Sequence, residues 1–208
     1  MWDDEEDEVE EAEGPTPVGF VRSALVFYGL MGCGALLWRM NSPGESILHP
    51  VSTAPPAYGM AFAIGVGCLV GLGAVGLSEV LTRFTAIGEA LADVLGEGLA
   101  GIGRGDALLL ALASGTAEEM FFRGAVQPAV GIFWASLAFG ACHFLPRREL
   151  ALWSVYAVVM GFALGGLYLW TGQLLAPIAA HVVVNAINLP RLAQRAAENP
   201  AGPVDPAE

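Results

Sequence analysis

The sequence has no lysine. All nine of its cations are arginine, against 21 acidic residues. Such a chain offers no basic patch, so nucleic acid is not expected as a partner. Charge of either sign is sparse: 14% of the 208 residues carry one, where a soluble domain carries about 25%. Cysteine is sparse as well. Cys33, Cys68 and Cys142 stand singly in apolar segments. They read as small buried thiols, with neither a CxxC pair nor a Cys/His zinc spacing. There is no HExxH helix and no repeat with a period of roughly 20 to 50 residues.

Apolar sequence is abundant. Hydrophobic residues make up 55% of the chain, with a mean hydropathy of +0.58. The apolar runs are continuous and do not alternate, which argues against a β-barrel. The expected fold is all-α: a polytopic transmembrane helical bundle of about six spans plus an interfacial amphipathic helix. The formal net charge of -12 is largely local, because residues 3–13 hold a dense run of acids. Residues 1–17 read as an acidic, disordered tail. The membrane domain is expected over 18–190, with a Pro-rich C-terminal tail over 191–208.

The first span is expected from Val18 to Trp38, with Arg22 and Arg39 snorkelling at its ends. A Pro- and Ser-rich loop holding His49 leads to a second span, Tyr58 to Leu77. Between Ser78 and Gly105, charges punctuate an apolar pattern at helical spacing, as in a helix lying on the membrane surface. The third span opens near Asp106, a candidate N-cap, and is ended or kinked by Gly124 and Pro128. The fourth covers Ala129 to Phe144. Pro146 to Glu149 makes a turn, and the fifth covers Leu150 to Trp170. Thr171-Gly172 makes a tight connection to the sixth, Leu174 to Leu189, which ends at Pro190. With both termini cytoplasmic, Arg22, Arg83, Arg104, Arg147, Arg148, Arg191 and Arg195 lie inside and only Arg39 outside, as the positive-inside rule requires.

Charges within the third span need a reason, since each costs roughly 2.5–3.5 kcal/mol at mid-bilayer. Glu119 and Arg123 are four residues apart and can pair. That pairing leaves Glu118, about 100° around the helix, as a candidate general base. Polar residues also interrupt later spans. Phe139 lies one turn before His143 and can pack beside its ring. His181 and Asn185 share a face, so Asn185 can orient His181, or both can donate to a bound group. Asn188 reads as a helix-end residue. Buried Glu, His, His and Asn suit water activation. Glu118 with His143 would deprotonate water, and His181 with Asn185 would stabilise an oxyanion. Alternatively, Glu118, His143 and His181 would hold Zn²⁺. Depth is compatible with convergence: Glu118 is about 18 Å from the inner end of its span and His181 about 10 Å from the outer end of its own.

The ordered set Glu118-Glu119 with Arg123, Phe139 with His143, and His181 with Asn185 resembles the EExxxR, FxxxH and HxxxN motifs of the CPBP intramembrane proteases. This is the Abi or CAAX protease family, which includes the type II CAAX prenyl endopeptidases. The resemblance covers about 106–189. It implies an intramembrane endopeptidase fold, with Glu118, His143, His181 and Asn185 at the centre and Glu119, Arg123 and Phe139 in support. Both metal-dependent and glutamate-dependent members are described, so Zn²⁺ stays open. The implied partners are the bilayer and a peptide or membrane-associated protein, and the expected location is the inner membrane. Two other classes fit buried Glu and His: a transporter or proton relay, and a non-catalytic bacteriocin self-immunity protein of the same fold.

Overall fold

The computed structural model describes residues 16–42, 46–48, 59–144 and 150–198. Its helices are α1 (Pro17–Met40), α2 (Met60–Phe84), α3 (Ala86–Glu97), α4 (Arg104–Glu119), α5 (Gln127–Cys142), α6 (Ala151–Thr171) and α7 (Leu175–Glu198). A π-helical turn, Met120–Val126, joins α4 to α5. The chain is a polytopic helical bundle. Five helical runs are long and apolar enough to cross a membrane: Pro17–Met40, Met60–Phe84, Arg104–Cys142, Trp153–Thr171 and Leu175–Glu198.

The third and fourth expected spans form one of these runs. Its 39 residues would measure about 58 Å if straight, nearly twice a hydrocarbon core of about 30 Å. The run is not straight. Gly131 breaks it at φ 81°, ψ 164°, backbone values open essentially to glycine alone. The Phe122 and Phe139 ring centroids are 5.1 Å apart, and Glu118 meets His143 at 3.7 Å. On a straight helix the second pair would be about 37 Å apart. The chain therefore doubles back at Gly131. The break was expected at Gly124 and Pro128. Instead, Gly124 lies inside the π turn and Pro128 in the first turn of α5, where a missing N–H is tolerated.

Other boundaries move for local reasons. Helix α4 starts at Arg104 with Gly103 as N-cap, so Asp106 sits in its first turn rather than capping it. The amphipathic stretch is divided. Thr85 ends α2, and its Oγ1 accepts from Gly88 N at 3.0 Å to start α3. At 12 residues, α3 is about 18 Å long and too short to cross a bilayer. Helix α7 continues through Pro190 to Glu198. Its last turns are held from outside by ion pairs of Arg191 with Glu79 and of Arg195 with Glu89 and Asp93. Asn188 accordingly lies within the helix, bonded to Ser78 Oγ at 3.3 Å. The Thr171-Gly172 connection is as expected, with Gly172 in the left-handed region.

Two expected environments differ. Arg39 is buried rather than snorkelling. Cys33 and Cys142 lie on the outer surface of the bundle and Cys68 is half-buried, all three as free thiols. His49, Pro146 to Glu149, the acidic tail and residues 199–208 lie outside the described residues.

The helix register fixes which ends meet. Val21, Ala107 and Leu110 pack together with Leu189 against them. The starts of α1 and α4 and the later part of α7 therefore share one end of the bundle. At the other end, Leu174 N bonds Leu48 O at 2.9 Å.

Candidate active site

The site is built where α4, the π turn, α5 and α7 meet. Gly115 makes the closest approach possible: a β-carbon there would stand 2.9 Å from Val182 N. With α7 so near, His181 can reach the end of α4.

Glu119 is fully buried and accepts twice on one oxygen. Arg123 Nη1 donates to its Oε1 at 2.9 Å, and His181 Nδ1 lies 2.8 Å from the same atom. The expected Glu119–Arg123 pair is present, and the histidine is an added partner. Arg123 is 1% exposed. Its Nη2 donates to Gly161 O at 3.2 Å, and its guanidinium carbon stands 4.3 Å from the Phe139 ring centroid. One carboxylate, one carbonyl and one aromatic face together compensate the buried cation.

Each histidine has one nitrogen committed. A carboxylate oxygen and a peptide oxygen can only accept. So His181 Nδ1–H donates to Glu119, and His143 Nδ1–H donates to Phe139 O at 2.7 Å. The Nε2 atoms are left for chemistry. Phe139 spaces the two rings, with centroids 4.5 Å from His143 and 6.0 Å from His181. Trp153 meets the His143 ring edge-on at 5.7 Å.

Glu118 is held differently. It is 7% exposed, its Oε2 has no hydrogen-bond partner among the described residues, and that atom lies 3.7 Å from His143 Nε2. The gap exceeds hydrogen-bond length. Asn185 does not orient His181. Its Nδ2 donates to Ser114 Oγ at 2.9 Å, and Glu119 orients the histidine instead.

The structure thus brings Glu118, Glu119, Arg123, Phe139, His143 and His181 together, with Asn185 one turn along α7. Sequence reasoning missed three residues. Ser114 precedes Glu118 by four residues, a spacing that could have found it. Trp153, and Tyr28 near Glu118, carry no local signal, because their contacts cross between helices. Among the described residues no group of three His, Cys, Asp or Glu side chains is gathered as a metal site.

Residues 104–187 match the family model described as Type II CAAX prenyl endopeptidase Rce1-like. This segment, 84 of the chain's 208 residues, is similar to that family. It contains every motif residue of the site. A relative, "Uncharacterized protein YpbD" of Bacillus subtilis (strain 168), is 42% identical over 82 residues, covering 38% of this chain and 42% of that protein. The chain thus spans less than half of the relative's length. No solved structure matches. The Rce1-like segment begins at α4, so α1 to α3 lie outside it.

Proposed function

We infer that the protein is an intramembrane endopeptidase in which Glu118 and His143 activate a water molecule. The observation that carries this is the contrast between adjacent carboxylates. Glu119 takes Arg123 and His181 on Oε1, with nothing on its Oε2, whereas Glu118 Oε2 is buried, has no hydrogen-bond partner among the described residues, and stands 3.7 Å from His143 Nε2. A water bonded to either group is within reach of the other.

In the proposed reaction, Glu118 takes a proton from water and the oxygen attacks the peptide carbonyl carbon. The resulting oxyanion accepts from Asn185 and from His181. For His181 this requires the doubly protonated ring, with Nδ1–H on Glu119 and Nε2–H on the oxyanion. Glu118 then returns its proton to the amine nitrogen as the C–N bond breaks. The steps use side chains alone. The substrate class proposed is a peptide or membrane-associated protein, in keeping with the Rce1-like segment. The proposed location is the inner membrane with both termini cytoplasmic, a reading that rests on the arginine distribution. Protection of a terminal tag in vesicles of known orientation checks it.

Proteoliposomes of the purified chain test the function. Cleavage of a quenched peptide without ion flux is expected, and it is expected to persist after chelation. His143→Ala and His181→Ala should each lower kcat by about 10²-fold or more. Flux without cleavage would favour a transporter, and loss of cleavage on chelation would favour the metal version.

A further inference from the structure

The family match begins at α4, yet α1 reaches the site. Helix α1 runs parallel to α4 in a clear register. Val21 packs with Ala107 and Leu110, a β-carbon on Gly32 would stand 4.0 Å from that of Ala117, and the Trp38 and Phe121 rings are 6.4 Å apart. The buried positions Val21 and Ala35 flank Tyr28 at seven residues on either side, so Tyr28 lies on the same stripe. That register puts Tyr28 about one turn below Ala117. A tyrosine there can reach Glu118, and the Tyr28 phenol lies close enough to the Glu118 carboxylate to interact with its charge.

We propose that Tyr28 is a positioning residue of the site: its phenol donates a hydrogen bond to Glu118 and holds that carboxylate facing His143. Glu118 needs such a partner. Arg123 is occupied by Glu119, Gly161 O and Phe139, and His143 Nε2 is too far for a direct bond. A phenol is a rigid donor with only two side-chain torsions before the ring. It fixes direction without adding charge. The first span is then part of the site and not merely a membrane anchor.

The inference rests on the proposed endopeptidase reading, and two arms keep them separable. In the first arm, the purified full chain cleaves a quenched peptide. Tyr28→Phe removes one oxygen, and kcat should fall about tenfold, with KM within about twofold and an unchanged thermal midpoint. A kcat equal to wild type would overturn the proposal. A fall explained wholly by lost thermal stability would also overturn it. The second arm needs no activity. The chain has four tyrosines, so the tyrosine Raman doublet can be compared between wild type and Glu118→Ala. Loss of a strong-donor phenol signature in the variant is expected, and identical spectra would overturn the proposal. If wild type cleaves no peptide but the spectra differ, the endopeptidase reading fails while the Tyr28–Glu118 contact stands.

Discussion

Glu118 and Glu119 share a peptide bond but not an environment. Glu119 lies at the end of α4, facing α7, where it pairs with Arg123 and hydrogen-bonds His181. Removing it leaves the Arg123 cation without its carboxylate and the His181 Nδ1–H without its acceptor. Glu119→Ala should therefore cost about 3–5 kcal/mol, read as a lowered thermal midpoint in detergent. Glu118→Gln should leave the midpoint near wild type, because Glu118 Oε2 has no hydrogen-bond partner among the described residues. Equal midpoints for Glu119→Ala and wild type would remove the structural role given to Glu119. The Glu119–Arg123 pair was legible because residues four apart meet on any helix. The His181–Glu119 bond spans 62 residues, and no spacing rule reaches that far. Asn185 illustrates the same limit: its face was legible, but its partner Ser114 on α4 was not.

At the scale of elements, the fold at Gly131 makes the site. It turns α5 back so that Phe139 and His143 lie beside Phe122 and Glu118. The returning arm is short, since α5 ends at Cys142; from Gly131 it measures about 16 Å. It therefore sets His143 at the depth of Glu118 instead of carrying it across the bilayer. A β-carbon on Gly131 would meet nothing within 4 Å, so substitution costs backbone strain and not a clash. Gly131→Ala should destabilise by about 1–3 kcal/mol and lower turnover. Gly166→Ala, on the regular helix α6 and also in open space, should do neither. Equal behaviour of the two variants would contradict the role of the fold. Sequence patterns exposed the apolar spans, since length and hydropathy depend on local composition. They misplaced the break, because Gly and Pro signals at 124, 128 and 131 look alike until the backbone angles are known. They also ended α7 at Pro190, although ion pairs from α2 and α3 hold the turns beyond it.

Across the whole molecule, a charge-poor chain gathers buried Glu118, Glu119, Arg123 and His181 at one junction. The Rce1-like segment supplies the motif residues, and α1 packs along α4 to supply Tyr28. The central claim is that Glu118 activates water to cleave a peptide bond. Cleavage in ¹⁸O-labelled water, followed by mass spectrometry of the products from purified wild type and Glu118→Gln, tests it directly. Wild type is expected to place one ¹⁸O in each newly formed carboxyl terminus, and Glu118→Gln to yield no product above background. Cleavage by Glu118→Gln at the wild-type rate, or no labelled product from wild type, would contradict the account.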